Sequence, residues 1–148
     1  MKKFLVATAV AIAALNLVGC ASVSMGNAEQ DAAVKKFAAP AADKSALYIY
    51  RNESMGGSVK MDVSVDGKPI GQTASKTFLY KEVAPGKHTI ASTAENTDTL
   101  TVETQPGMSY YIWQEVKMGV MYARNKLQLV DAATGKKGVQ ETSLAVTK

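Results

Sequence analysis

Val59-Lys60-Met61-Asp62-Val63-Ser64-Val65-Asp66-Gly67 is the stretch that decides the fold. Apolar side chains at 59, 61, 63 and 65 alternate with polar ones at 60, 62, 64 and 66. Successive side chains on a pleated chain point to opposite faces, so this period of two predicts a strand with one dry face and one wet face. Asp66-Gly67 tolerates the positive φ that a tight hairpin needs, and the strand is expected to fold back into Lys68 to Thr73.

The same pattern extends both ways. Upstream, Ala46 to Arg51 reads as a strand with Leu47 and Ile49 on one face and Tyr48 and Tyr50 on the other. Downstream, strands are expected at Lys76 to Val83, Lys87 to Thr93, Thr97 to Thr104, Met108 to Val116 and Lys126 to Val130. Pro85-Gly86 and Pro106-Gly107 mark turns between them. In the aromatic strand, Tyr110, Ile112 and Val116 oppose Tyr111 and Trp113. Gly135 to Gly138 reads as a further turn, leading to a last strand near Val139 to Val146. Short strands at this turn spacing predict an all-β domain over residues 45–148, an antiparallel β-sandwich of Ig-like or PEGA-like kind.

Composition agrees with a folded domain. The chain of 148 residues is 47% hydrophobic and 20% charged, which sets it apart from disordered sequences. Its formal charge of +4 includes Lys2 and Lys3; without them 15 basic residues face 13 acidic ones. So small an excess does not point to nucleic acid.

Met1-Lys2-Lys3, the apolar run Phe4 to Val18 and then Gly19-Cys20 have the layout of a secretory signal peptide. The run is short for a membrane span. Leu17-Val18-Gly19-Cys20 resembles the bacterial lipobox. That resemblance implies a leader over residues 1–19, cleavage between Gly19 and Cys20, and acyl chains on the Cys20 sulfur. Cys20 is the single cysteine, so no internal disulfide can form. Two or three chains would hold the protein at a bilayer where one would not. Ala21 and Ser22 follow the cysteine without an aspartate. By resemblance to sorting rules in Gram-negative cells, this places the protein at the outer membrane, facing the periplasm.

Residues 20–44 are read as the lipidated cysteine and a tether. Asn27 and Gln30 have the spacing of a capping box, Asp31 and Lys35 that of an i,i+4 ion pair, and Val34 and Phe37 could share a face. The helix would end before Pro40. Either the segment is a flexible spacer, or it is a short helix that docks on the domain or the membrane.

Five segments taken in order, Leu47 to Arg51, Val65 to Lys68, Pro85 to Ile90, Tyr110 to Val116 and Leu127 to Asp131, resemble the bacterial lipoprotein family DUF 2846, a domain of unknown function. The resemblance covers about residues 45–145 and rests on strand and turn signals. It implies a fold and supplies no catalytic residues. The hairpin at Val65 to Gly71 and the turn at Pro85 to Ile90 are also similar to PEGA-type surface domains, in architecture alone.

The residues that carry chemistry are sparse. A metal site needs several His, Cys or carboxylate ligands, and the chain has one histidine, so no metal or cofactor is expected. Asp62, Ser64 and Asp66 read as a solvated strand face, and His88 as a hydrogen-bonded structural residue without a nucleophile elbow. Nothing selects a pair among Glu53, Glu82, Glu95, Glu103, Glu115 and Glu141, and no catalytic residue is assigned. Two surfaces could bind. Tyr48, Tyr50, Tyr111 and Trp113 would form an aromatic platform for glycan rings or a partner if they faced outward; otherwise they fill a second layer of core. Met118, Met121 and Tyr122 lie in an apolar loop that either meets a partner or plugs the end of the sandwich. The expected role is non-catalytic, as an envelope protein that binds another protein or, alternatively, cell-wall glycan.

Overall fold

The computed structural model describes residues 22–148. The leader, Gly19 and Cys20 lie outside the described residues.

Among the described residues, nine strands form two facing sheets: β1 (Ser45–Arg51), β2 (Met61–Val65), β3 (Lys68–Thr73), β4 (Thr77–Val83), β5 (Gly86–Thr93), β6 (Thr97–Thr104), β7 (Ser109–Met118), β8 (Ala123–Val130) and β9 (Ser143–Leu144). One sheet has the order β8-β7-β1-β4-β9 and the other β3-β2-β5-β6. The alternation read from the sequence supplies the core between them. Leu47, Ile49, Leu79, Ile112 and Leu127 come from the first sheet, and Val63, Val65, Ile70, Ile90 and Val102 from the second. The predicted sandwich is present.

Pairing departs from the all-antiparallel expectation at two places: β1 lies parallel to β7, and β9 parallel to β4. A hairpin forces its two strands to run in opposite directions, but β7 reaches β1 by crossing from the other sheet, so no hairpin sets its direction. The free edge of β8 is masked by side chains of the β5–β6 hairpin. Asn125 N–H donates to Asn96 Oδ1 at 2.8 Å and Leu127 N–H to Asp98 Oδ2 at 2.7 Å. Unpaired edge amides invite a foreign strand, and these two are occupied.

Residues 132–140 correct the sequence reading. Instead of a turn at Gly135 to Gly138 they form helix α2 (Ala132–Gln140), capped by Asp131, whose side chain accepts the Thr134 N–H at 2.9 Å. The last strand expected near Val139 to Val146 is present but shortened to β9. The glycines serve close packing. A β-carbon on Gly135 would fall 2.1 Å from the Tyr111 Cβ, and one on Gly138 would fall 2.1 Å from the Tyr50 ring.

Of the two readings of the segment before β1, its described part takes the short helix docked on the domain. Helix α1 (Ala28–Val34) has the expected capping box, with Gln30 N–H donating to Asn27 Oδ1 at 2.8 Å and Asn27 N–H to Gln30 Oε1 at 3.1 Å. Asp31 and Lys35 pair at 2.9 Å. The segment does not hang free. Met25 bridges Ala145, Leu144 N–H donates to Asp31 Oδ1 at 2.8 Å, and the Lys35 ammonium donates to the Thr142 carbonyl. Backbone groups of a segment far along the chain, residues 142–146, hold the arm in place.

Candidate functional site

The aromatic platform is not formed. Tyr48, Tyr50 and Tyr111 are almost fully buried, sharing a second core with Ala46, Phe78 and Val139 on the outer face of the first sheet. Phe37 covers them, its ring centroid 5.7 Å from Tyr48 and 6.2 Å from Tyr111. Tyr48 and Tyr111 stack at 4.8 Å. Burial pushes the hydroxyl of Tyr50 up to about 12, with nearby Glu141 adding to it. Trp113 is half-buried at the rim of this layer. These rings are large apolar surfaces that a two-sheet sandwich would leave wet, and α2 together with Phe37 of the arm covers them.

The apolar loop has the opposite fate. β7 and β8 form a hairpin closed by residues 119–122, and at its tip Met118 is 82% exposed, Val120 86%, Met121 82% and Tyr122 55%. It does not plug the sandwich. Met61, Val116 and Ala123, with Val59 and Ala94, already close that end beneath it.

Three loops meet here, and buried or half-buried polar groups brace them. The Glu95 carboxylate, in the β5–β6 turn, accepts the Val120 N–H at 2.8 Å and the Met121 and Tyr122 N–H groups at 3.0 Å each. These bonds, that from Tyr122 foremost, hold the Glu95 carboxyl below its ordinary range. Its own N–H donates to the Ala123 carbonyl at 3.0 Å. Gly119 leaves room for this carboxylate, since a β-carbon there would stand 2.3 Å from Glu95 Oε2. Consecutive amides converging on one anion make a preorganised nest, and here the anion is the protein's own.

The β1–β2 loop is held by Arg51, which is fully buried. Its guanidinium donates to the Val59 carbonyl at 2.7 Å and the Gly56 carbonyl at 2.6 Å. Burial lowers its pKa, and the nearby Glu53 charge raises it. Gly56 sits at φ +66, and a β-carbon on it would lie 3.2 Å from the side chains of Ala123 and Val116, so the loop lies against the base of the hairpin. Its neighbour Met55 is 55% exposed. Glu53 Oε2 accepts the Val116 N–H at 3.2 Å, and burial raises its carboxyl.

The remaining residues that carry chemistry are dispersed. Asp62 accepts from Gln72 at 2.8 Å. Asp66 accepts the Thr89 N–H at 2.9 Å and meets His88 at 2.6 Å. Glu82 meets Tyr80 at 3.0 Å, Glu141 accepts from Asn52 at 2.8 Å, and Glu115 takes Lys117 and Gln128. Among the described residues no three His, Cys, Asp or Glu side chains cluster as metal ligands. No described helix is long and apolar enough to cross a membrane. Sequence reasoning missed Arg51, Met55 and the part played by Glu95. Glu95 is 25 residues from Val120, too far for any local pattern to report the contact.

Comparison with known proteins gives a family and no activity. The family model described as "Protein of unknown function (DUF2846)" matches residues 41–126. A relative from Haemophilus influenzae, named only "Uncharacterized protein", is 37% identical over 136 residues, which is 90% of this chain and 80% of the relative. No solved structure matches.

Proposed function

For this chain, which belongs to the DUF2846 family of proteins of unknown function, we propose a non-catalytic role as a lipid-anchored envelope protein that binds a partner protein through its β7–β8 hairpin tip. The observation that carries the reading is the exposure of Met118, Val120, Met121 and Tyr122 on one loop that Glu95 braces. Large apolar side chains favour burial at about 25 cal/mol per Å² of area removed from water. Displayed together on a braced loop, they favour a contact made outside the molecule. Methionine adds adaptability, because its unbranched side chain conforms to a partner's surface. Arg124, exposed on β8 beneath the tip, suits an apolar cleft with an acidic rim.

Anchoring rests on the leader and on Leu17-Val18-Gly19-Cys20. The outer membrane, with the domain in the periplasm, is the location that Ala21 and Ser22 favour. The glycan reading loses its platform, because Tyr48, Tyr50 and Tyr111, three of the four rings it required, are buried beneath other segments.

Photo-crosslinking in cells tests the proposal. A photoreactive side chain at Met121 should give a discrete adduct with an envelope protein, and one at Thr99, on the exposed face of β6, should not. Adding Val120→Asp should remove the adduct. Equal labelling from both positions, or none from Met121, would refute the assignment of the tip. Acyl labelling that depends on Cys20 tests the anchor separately.

A further inference from the structure

The docked arm limits how far the domain can stand from a membrane. Met25 bridges Ala145 in antiparallel fashion, and the Ser24 carbonyl accepts the Val146 N–H at 2.8 Å. Further along, Lys148 N–H donates to the Ile70 carbonyl at 2.8 Å, and the Lys81 ammonium donates to the Lys148 carbonyl at 2.8 Å. Read backwards from Met25, the chain therefore runs beside Val146 and toward Lys148. β9 is parallel to β4, so that direction leads from Thr77 toward Val83. Thr77 pairs with Arg51, whose guanidinium holds the loop under the hairpin tip. The chain thus heads for the end opposite the tip.

We infer that the docked arm clamps the domain against lipid headgroups, with the surface around Val23, Lys68, Lys81, Val146 and Lys148 toward the bilayer and the hairpin tip pointing away from it. This rests on the proposed anchoring at Cys20. Four residue steps separate Cys20 from Ser24, and an extended chain covers at most about 14 Å over that distance. A free tether of 24 residues, Ala21 to Lys44, would instead reach on the order of 80 Å. The surface beside the arm suits headgroups. Lys68, Val146 and Lys148 are exposed and Lys81 is half-exposed; of the carboxylates nearby, Asp66 is paired with His88 while Asp62 keeps its charge, so the lysines outnumber it. Lysines near an anionic leaflet are attracted to it over roughly a Debye length, which is comparable to the reach of this short link. The two ends of the sandwich then have different work: one lies on lipid and the other is presented to the compartment.

The test uses the full acylated protein in vesicles of phosphatidylethanolamine and phosphatidylglycerol that carry a nitroxide on a fraction of headgroups. With the Cys20 sulfur acylated, a single introduced thiol takes a fluorophore, either at Lys68→Cys or at Met121→Cys. Quenching should be severalfold stronger at position 68 than at 121. Equal quenching, or stronger quenching at 121, overturns the orientation. Releasing the arm with Asn27→Ala, Asp31→Ala and Lys35→Ala should bring quenching at 68 down toward that at 121, with the melting transition confirming that the sandwich is intact. Quenching that does not change on release overturns the clamp. Failure of the anchor is seen separately, as protein that does not float with vesicles and a Cys20 of unmodified mass, and it removes this inference as well.

Discussion

Gly135 of α2 stands against Tyr111 of β7 so closely that a β-carbon on the glycine would lie 2.1 Å from the tyrosine Cβ. Tyr111 is 2% exposed, and its Cβ is fixed by the strand backbone, so the ring cannot swing away to make room. The absence of one methyl group is what lets a helix lie flat on the aromatic face.

Gly135→Ala should therefore destabilise the protein, against the usual trend. In an open helix the change gains about 1 kcal/mol. Here overpacking costs about 1–3 kcal/mol and outweighs that gain. Thermal denaturation should show a lower Tm than wild type. A higher Tm would mean that α2 is not seated on Tyr111.

Glu95→Ala should loosen the hairpin tip without unfolding the sandwich. The Val120, Met121 and Tyr122 amides lose their shared acceptor. Hydrogen exchange at these amides should accelerate, while amides in β1 and β7 keep their protection. If the tip amides exchange no faster, something other than the carboxylate holds the loop.

Arg51→Met removes the donor to the Gly56 and Val59 carbonyls while keeping much of the side chain's bulk. Leaving buried acceptors unpaired costs about 1–3 kcal/mol. The urea midpoint should fall, and limited proteolysis should open the chain between Asn52 and Lys60. Lysine at this position should not restore both bonds, because its point charge lacks the guanidinium fork. Full rescue by Arg51→Lys would contradict this account of the loop.

Both ring nitrogens of His88 face oxygen acceptors, Nδ1 to Asp66 Oδ2 and Nε2 to the Ala84 carbonyl, each at 2.6 Å. Only the doubly protonated ring donates to both. Burial opposes that charged form, but the bonds to Asp66 and Ala84 outweigh it and raise the histidine above 6.5. The Thr89 N–H first, and then His88, hold Asp66 below 3.8. The His88 contribution to stability is thus complete below pH 6.5 and fades as pH rises through the raised value in the folded state. The Asp66 contribution is complete above pH 3.8 and fades as pH falls through its depressed value. An NMR titration of Asp66→Asn should show the His88 midpoint moving down. An unmoved midpoint would show that the pair is not coupled.

Much of the architecture was legible because its causes are local. Alternation from Val59 to Val65 marked a strand with one buried face, which forms over Met61 to Val65, and Asp66-Gly67, with φ of 52 and 77, gave the hairpin. The Asn27–Gln30 capping box was readable from spacing alone. The candidate site was legible in part. Its apolar residues stand together in the sequence, but the groups that brace them, Glu95 and Arg51, are distant in the chain and carry no pattern of their own.

From residues alone came the periodicities, the turns and the caps, which depend on neighbours a few positions apart. The folded chain decided which of two apolar aromatic sets would be dry. Tyr48, Tyr50 and Tyr111 are covered because a helix with glycines at 135 and 138 and an arm ending in Phe37 come to rest on them. Met118 to Tyr122 stay wet because the cluster beneath them is already filled. A strand's pattern tells which side chains share a face, but it does not tell what will lie over that face. Coverage is a long-range contact, and it is settled only when distant segments compete for the same surface.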